Sequence, residues 1–128
     1  MLHFVIPAYN ESASIHDLLV RIAEVCDGAD LASDVLVVDA GSADDTGAIA
    51  RALSAELPVP VVRNEPNGGL GYSIRRGLKL AAEGAAADDV IVTLDADLTQ
   101  DPGYVPEMLQ RLDSTCADVV IASRYRRG

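Results

Sequence analysis

Two aspartates separated by a single residue carry the clearest chemical signal in the sequence. Asp95 and Asp97 directly follow the apolar run 90–94, where a buried strand would reach the surface. In an extended chain, side chains two residues apart point to the same side, and like charges held that close are costly unless a cation neutralises them. Mg²⁺ and Mn²⁺ suit carboxylate ligands, and Mg²⁺ completes its shell with water and substrate phosphates. Spacing alone leaves a metal site and a polar turn equally open, and the position after a strand favours the metal site.

The segments after the first and second apolar runs carry groups suited to a nucleotide. Tyr9, which follows Pro7 and Ala8, offers a ring that can lie against a base or be half buried with its hydroxyl in water. Asp39, just before Gly41, offers a carboxylate to a base or a ribose hydroxyl. The alternative is that Asp39 opens an Asx turn before the next helix, and the residue alone slightly favours this turn.

Glycines and arginines supply two further candidates for binding phosphate. Segment 67–71 reads Asn-Gly-Gly-Leu-Gly and opens a predicted helix, whose N-terminus attracts anions; a mobile turn is an equal alternative. It lacks GxGxxG spacing, so a site for an NAD-like dinucleotide is not supported. Arg124, Arg126 and Arg127 follow the last apolar run, where they can grip phosphate or form a solvated tail. The basic residues of the helix after 67–71 are predicted to form a solvated face: Arg75, Arg76 and Lys79.

Five apolar runs and four helical patterns must position these groups. The runs are rich in Val and Ile without polar alternation, which is typical of parallel strands covered on both faces; they span residues 3–6, 35–38, 59–62, 90–94 and 119–122. Between them, apolar residues recur at helical spacing: Ile15, Leu18, Leu19 and Ile22; Ile49, Leu53 and Leu57; Leu70, Ile74 and Leu78; Val105, Met108, Leu109 and Leu112.

This alternation predicts one domain over residues 1–128: a doubly wound, mostly parallel α/β sheet of about five strands with helices on both faces. Ligands of such sheets bind outside the carboxyl ends of the strands, where the candidate residues lie. Helix-capping residues support the same pattern. The predicted caps are Asn10 or Ser12 for the first helix, Asp44 or Asp45 for the second, and Asp101 with Pro102 for the fourth.

Composition limits the classes of protein that fit. The 128 residues include 20 acidic and 10 basic side chains, a net charge of −10, which argues against nucleic-acid binding. Cys26 and Cys116 lack CxxC spacing, so two reduced, largely buried thiols are expected. Neither a signal-peptide pattern nor an apolar run near ~20 residues is present, which predicts a cytoplasmic protein. The chain ends soon after the fifth run, which favours a truncated domain.

Four motifs in order resemble family 2 glycosyltransferases, in particular the dolichyl-phosphate mannose or glucose synthases. They read Val-Ile-Pro-Ala-Tyr-Asn-Glu at 5–11, Val-Val-Asp-Ala-Gly-Ser-Ala-Asp-Asp-Thr at 37–46, Leu-Asp-Ala-Asp-Leu at 94–98 and Ala-Ser-Arg-Tyr at 122–125. Segment 69–71 also looks like the family's glycine-rich helix start. The resemblance runs through essentially the whole chain and implies the A-type glycosyltransferase (nucleotide-diphospho-sugar transferase) fold.

The resemblance also implies residue roles. The nucleotide sugar would be bound by Pro7, Ala8, Tyr9, Glu11, Asp39, Gly41, Asp95, Ala96, Asp97 and Arg124. Within this set, Asp39 would contact the base or ribose and Arg124 the phosphates. Asp95 and Asp97 would bind Mg²⁺ or Mn²⁺, with Asp97 the more direct ligand.

Two positions depart from the family's pattern. Ala40 stands where a second acid is usual, which removes one expected nucleotide contact. Thr99 stands where lipid-phosphate sugar synthases often have a metal-contacting Gln, and Gln100 follows one residue later.

The implied reaction is the inverting transfer of a hexose from a nucleoside-diphosphate sugar, of the GDP-mannose or UDP-glucose type, to an acceptor. A polyprenyl phosphate is a candidate acceptor; its anionic oxygen needs no strong base, and it would bring the protein to the cytoplasmic face of a membrane. Family members continue into an acceptor-binding part, so this chain is expected to bind donor and to transfer sugar poorly. No residue is assigned as a catalytic base.

Two alternatives belong to other functional classes. The first is a non-catalytic donor-binding fragment that forms a homo-oligomer through an open sheet edge. The second is a receiver-like signalling module, which is disfavoured because Pro7 to Tyr9 supply no acid after the first strand and Ser123 and Arg124 supply no Lys after the last.

Overall fold

Strands and helices alternate along the chain, as the sequence predicts. The structure is a computed structural model that describes residues 1–53, 57, 59–123 and 125. Its elements are β1 Leu2–Ala8, α1 Ile15–Gly28, β2 Ser33–Asp39, α2 Thr46–Ala52, β3 Val61–Arg63, α3 Leu70–Gly84, β4 Val90–Thr93, a 3₁₀ turn Pro102–Tyr104 and α4 Val105–Thr115.

The sheet has the strand order β3-β2-β1-β4, and every pairing in it is parallel. In the central pairing, Leu2 lies opposite Ser33 and Ala8 opposite Asp39. The chain adds β2 and β3 on one side of β1 and then crosses back to place β4 on the other side. The winding direction therefore reverses between β1 and β4, and the carboxyl ends of these two strands form the crevice where open α/β sheets bind ligands.

β1 is buried along its whole length because helices cover both of its faces. Leu2, Phe4, Ile6 and Ala8 belong to the main apolar cluster together with α1, whereas Val5 packs toward α3. Both the alternating faces and the parallel pairing confirm the predicted α/β class. The predicted stripe of α1 is buried as expected: Ile15, Leu18, Leu19 and Ile22.

α3 meets the sheet through small residues rather than through its predicted apolar stripe. Ser73 and Gly77 are its buried residues, whereas Leu70 is 60% and Leu78 37% exposed. A Cβ atom on Gly77 would lie 2.3 Å from Cγ1 of Val5, so the helix backbone packs directly on the sheet. The apolar spacing correctly predicts the helix but not the face that it buries, because close approach selects small side chains.

The predicted fifth strand is absent from the part of the chain that the structure describes, where the sheet has four strands. Residues 119–122 have no strand conformation, and Val119 and Ile121 are 71% and 82% exposed. Their β-branched composition suits a strand, but a strand forms only when a neighbouring backbone pairs with it. The prediction is wrong because no paired neighbour accompanies this run.

The helix-start prediction is correct in position for the second helix, wrong for the first, and for the fourth it identifies only the 3₁₀ turn that leads into the helix. Asp45 is the N-cap residue of α2, and Oδ1 of the neighbouring Asp44 accepts from the Thr46 backbone at 3.0 Å. Asp101 accepts from the Gly103 backbone at 2.8 Å and so caps the 3₁₀ turn Pro102–Tyr104, whereas the N-cap position of α4 itself is Tyr104. α1 begins at Ile15 with Ser14 at its N-cap position, so neither Asn10 nor Ser12 caps it. Their segment belongs instead to a loop that binds the β2–α2 loop.

The two cysteines differ in burial. Both are free thiols, and Cys26 is buried in the core as predicted. Cys116 is exposed at the end of α4, so the prediction that both thiols are largely buried is wrong for this residue. Its left-handed backbone, with φ of 50°, ends the helix and turns the side chain out of the core.

A buried histidine joins three chain segments at the amino-terminal edge of the sheet. The Nδ1 atom of His3 lies 2.9 Å from Asp34, and its Nε2 atom lies 3.1 Å from Asp89. Asp89 also binds the Met1 amino group at 2.8 Å. A neutral imidazole can donate only one of these two hydrogen bonds, so the pair of carboxylates favours the protonated ring. Hydrogen bonds to Asp89 and Asp34 accordingly raise the pKa of His3 above 6.5.

We expect the free energy of unfolding to fall as pH rises through the folded-state pKa of His3. The folded protein holds the His3 proton more tightly than the unfolded chain does. The stabilisation that protonated His3 contributes is therefore complete below the unfolded-state pKa of this residue and lost above its folded-state pKa. The Met1 amine, the Ala86 backbone and His3 lower the pKa of Asp89, whose contribution is lost only as pH falls through that lowered value. Urea unfolding between about pH 6 and about pH 9 measures the slope.

His3→Gln should remove this slope, and His16→Gln should retain it, because His16 is exposed on α1. An unchanged slope in His3→Gln would contradict the assignment.

Candidate functional site

Side-chain hydrogen bonds join the loops that follow β1 and β2 at the carboxyl edge of the sheet. The backbone N–H of Asn10 donates to the Ser42 hydroxyl at 2.9 Å, and that of Glu11 donates to the Thr46 hydroxyl at 2.8 Å. In return, the Ala43 backbone donates to the Asn10 side chain at 2.9 Å. Asn10 has a φ of 53°, a left-handed conformation that asparagine tolerates better than most residues. The structure thus brings the predicted segments 7–11 and 39–46 together as one surface.

Asp44 adds a carboxylate to this surface. Its carboxylate accepts a hydrogen bond from the Thr46 hydroxyl, which lowers the pKa of Asp44 to about 2. The same carboxylate accepts from the Ser12 backbone at 3.2 Å. Asp44 is therefore ionised at physiological pH and holds the two loops together.

The acid pair lies in a turn directly after β4. Gln100 binds Asp95 twice: its amide donates to the carboxylate at 3.0 Å, and its Oε1 accepts from the Asp95 backbone at 3.1 Å. Asp97 accepts from the backbone and hydroxyl of Thr99 at 3.0 and 2.7 Å. Leu98, between Asp97 and Thr99, has a φ of 64°, so the chain turns sharply at this point. Asp97 is exposed and Asp95 half-buried, which leaves both at the surface of the crevice.

This donor set fits a cation shared with a diphosphate better than a metal centre built from protein alone. Asp95, Asp97, Thr99 and Gln100 offer carboxylate, hydroxyl and amide oxygens, which are the ligands that Mg²⁺ and Mn²⁺ accept. Across the described ranges, no group of three or more His, Cys, Asp or Glu side chains is arranged to hold a metal. Mg²⁺ commonly uses one or two carboxylates and completes its shell with phosphate and water. The residues therefore fit a cation whose remaining ligands come from a substrate.

Asp39 is fully buried and already bound by two donors. The Ser42 backbone donates to its Oδ1 at 2.9 Å, and Arg63 donates to its Oδ2 at 2.8 Å. The first bond is local, as in the turn that the sequence slightly favours, but it spans three residues rather than the two of an Asx turn. The sequence did not predict the second bond. Hydrogen bonds to Glu65 and Asp39 raise the pKa of Arg63. Because the Asp39 side chain is fully buried behind these donors, its carboxylate has no exposed surface in the structure, and the predicted contact of Asp39 with a base or ribose stays a prediction.

An open cleft of about 530 Å³ lies at the carboxyl end of β3, next to Asp39. Arg76 lines this cleft and donates to the backbone carbonyl of Arg63 at 3.0 Å and to the Asn64 side chain. The prediction that Arg76 belongs to a solvated helix face is therefore wrong, because the end of β3 provides acceptors for it. The cleft is lined by Arg63, Asn64, Glu65, Pro66, Gly68, Tyr72 and Arg76.

The remaining predicted residues divide into three groups. Pro7 and Ala8 end β1 in the core, whereas Tyr9 is 52% exposed and its ring is available at the surface. Gly41 has a φ of 82°, and a Cβ there would lie 3.0 Å from the Asn64 carbonyl, so a glycine is needed where the loops after β2 and β3 meet. Arg124 lies outside the described residues, and its predicted phosphate contact stays a prediction.

Sequence reasoning missed Ser14, Arg63 and Gln100 as contributors to the site. Arg63 is the last residue of β3, so the rule that ligands bind at strand ends could have singled it out. The signal at Gln100 is only that of a family residue displaced by one position, and Ser14 carries no sequence signal because its partner is Ala96, 82 positions away.

The sequence matches the family model described as "Glycosyl transferase family 2" over residues 3–128. A dolichol-phosphate mannosyltransferase from Pyrococcus furiosus is 36% identical over 124 residues, covering 97% of this chain and 33% of the relative. An undecaprenyl-phosphate mannosyltransferase from Micrococcus luteus is 37% identical over 125 residues, covering 97% of this chain and 48% of the relative.

Solved structures agree with this relationship. Glucosyl-3-phosphoglycerate synthase from Mycobacterium tuberculosis, in complex with Mn²⁺, UDP and glucosyl-3-phosphoglycerate, matches with a TM-score of 0.65 and 31% identity over 88% of this chain and 39% of that one. TarS from S. aureus in complex with UDP matches with a TM-score of 0.72 and 25% identity over 91% of this chain and 33% of that one. The chain thus has the predicted fold of the A-type glycosyltransferases.

The chain spans about a third to a half of the length of these curated relatives. Among the described residues, no helix is both long and apolar enough to cross a membrane.

Proposed function

The chain belongs to glycosyl transferase family 2, and from this premise we propose that its carboxyl edge binds a nucleoside-diphosphate sugar together with Mg²⁺ or Mn²⁺. The observation that carries the proposal is the position of Asp95 and Asp97 at the crevice between β1 and β4, where the winding reverses. The solved relative that holds both UDP and Mn²⁺ supports the ligand class. Asp39, Gly41 and the loop 7–11 are proposed to bind the nucleoside.

The proposed reaction is the inverting transfer of a hexose from this donor to an acceptor. A bound divalent cation would supply electrostatic stabilisation of the departing diphosphate. Asp95 and Asp97 hold ligand oxygens at the surface, and Thr99 and Gln100 fix their orientation through hydrogen bonds. Arg124 is proposed to contact the phosphates.

A polyprenyl phosphate is the acceptor that we favour. The names of the curated relatives specify dolichol phosphate and undecaprenyl phosphate. A phosphate oxygen is anionic at neutral pH and attacks without a strong general base. Such a reaction would take place at the cytoplasmic face of a membrane, with this domain bound peripherally.

Donor binding is tested by calorimetric titration of the chain with UDP and with GDP, each in the presence of Mn²⁺ and of a chelator. We expect one nucleotide to bind substantially more tightly with Mn²⁺, because the cation neutralises repulsion between the diphosphate and the acid pair. The corresponding monophosphate is the matched control and should show little dependence on Mn²⁺. The absence of binding for both diphosphates in the presence of Mn²⁺ would overturn the proposal.

A second proposed function is donor binding without catalysis by a chain that self-associates. The outer edge of β4 is unpaired among the described residues, and the exposed Val119 and Ile121 add apolar surface after α4. Unpaired edges readily pair with another chain. Light scattering over a concentration series tests this: growth from monomer to dimer supports self-association, and a constant monomer mass contradicts it.

A further inference from the structure

The hydroxyl of Ser14 links the first helix to the turn that carries the acid pair. It lies 2.7 Å from the backbone carbonyl of Ala96, the residue between Asp95 and Asp97. The same oxygen lies 3.2 Å from the Glu11 carboxylate. Ser14 therefore stands between a residue of the β1 loop and the turn after β4.

One proton decides which of these contacts is the stronger. A serine hydroxyl donates a single hydrogen bond, and both the Ala96 carbonyl and the Glu11 carboxylate offer it an acceptor oxygen. The contact with Ala96 is shorter by half an ångström and within the usual O–H···O range, so the proton goes to the carbonyl. The Glu11 backbone carbonyl already accepts from the N–H groups of Ser14 and Ile15.

The Ala96 peptide is one point at which a residue outside the turn holds it. Thr99 and Gln100 hold the two carboxylates, but both lie within the same turn. Ala96 is only 3% exposed, and its backbone carbonyl accepts from the Ser14 hydroxyl, 82 positions away. Removing the hydroxyl would leave this part-buried carbonyl without its short bond and free the 96–97 peptide to rotate.

We propose that Ser14 is a positioning residue that fixes the acid-pair turn against the β1 loop. Because the two ligand-binding segments are then held in one geometry, binding of the cation and of the nucleotide are coupled through this hydroxyl. The proposal has two parts. The coupling between cation binding and nucleotide binding rests on the proposed function, whereas the positioning of the turn concerns the free protein alone.

The positioning of the turn is measured by amide hydrogen exchange of residues 95–99 in the free protein. In Ser14→Ala, exchange in this turn should rise about fivefold to tenfold, as expected for the loss of one hydrogen bond. Ser14→Thr retains the hydroxyl and should stay within about twofold of wild type. Ser114→Ala is the matched control, since Ser114 is exposed on α4 and bonds only locally, to Arg111, in the described contacts.

The coupling between cation binding and nucleotide binding is measured by the affinity for Mn²⁺ in the presence and absence of UDP or GDP. The electron paramagnetic resonance signal of free Mn²⁺ gives this affinity. Ser14→Ala should lower the affinity for Mn²⁺ in the nucleotide complex about fivefold to tenfold, and Ser14→Thr should restore it.

Four outcomes are informative. Unchanged exchange in Ser14→Ala overturns the positioning role. Raised exchange with unchanged Mn²⁺ affinity in the nucleotide complex overturns the coupling. The proposal is also overturned if Ser14→Thr loses as much exchange protection and Mn²⁺ affinity as Ser14→Ala, because the threonine variant keeps the hydroxyl donor. If the wild-type protein binds Mn²⁺ with neither nucleotide, the proposed function and the coupling fail together. Amide hydrogen exchange of the free protein then still decides whether Ser14 holds the turn.

Discussion

Replacing Asp97 by asparagine is expected to weaken Mn²⁺-dependent binding of a nucleoside diphosphate by about a hundredfold, a loss at the upper end of those seen when metal sites are disturbed. Asparagine keeps an oxygen that can accept from the backbone and hydroxyl of Thr99, so the turn should retain its shape. What is removed is the negative charge beside the cation. Calorimetric titration in the presence of Mn²⁺ measures the change, and thermal unfolding of the free protein should be almost unaffected.

Asp88→Asn is the matched control for this prediction. Asp88 is exposed just before β4, at the edge of the sheet opposite the acid pair, and its substitution changes the net charge by the same amount. If general acidity attracted the cation, both variants would lose affinity equally. Equal behaviour of wild type and Asp97→Asn would remove the acid pair from the proposed site.

The parallel sheet could be predicted from the sequence because three of its four strands follow from runs that are almost purely apolar. Residues 3–6, 35–38 and 90–94 carry too little polar alternation for an exposed face, so only strands covered on both sides fit them. The run 119–122 has the same composition, yet Val119 and Ile121 are exposed and the run pairs with none of the four strands of the described sheet. Composition indicates the burial and pairing that a segment suits, whereas strand formation also needs a partner backbone, and the position of that partner is set by the fold as a whole.

The candidate site was predictable to the extent that its residues follow strands directly. Asp95 and Asp97 were located by this rule, and the segments after β1 and β2 do meet. The partners that hold these residues were not predictable in the same way. Arg63 reaches Asp39 only because β3 pairs beside β2, and Ser14 reaches Ala96 only because β1 lies beside β4. Such contacts depend on strand order, which apolar spacing does not encode.

Gly77→Ala is expected to lower the free energy of unfolding by about 1–3 kcal/mol, since a methyl group there overpacks the sheet face of α3. The new Cβ would lie 2.3 Å from Cγ1 of Val5 and 3.0 Å from Cγ2 of Val38, and both valines are fully buried. The better helix propensity of alanine acts in the opposite direction by up to about 1 kcal/mol and does not offset the clash. α3 also carries Tyr72 and Arg76 into the cleft beside β3, so a shift of the helix would alter that surface. Urea unfolding gives the change in stability.

Gly71→Ala separates the clash from the change in helix propensity. A Cβ on Gly71, in the first turn of the same helix, would meet no atom within 4 Å, so this variant should be neutral or slightly more stable. A double-mutant cycle with Val5→Ala identifies the clashing partner, because removing Cγ1 makes room for the new methyl group. The double variant should be less destabilised than the sum of the two single variants by about 1 kcal/mol or more. Strict additivity would mean that α3 does not approach β1 as closely as the structure shows.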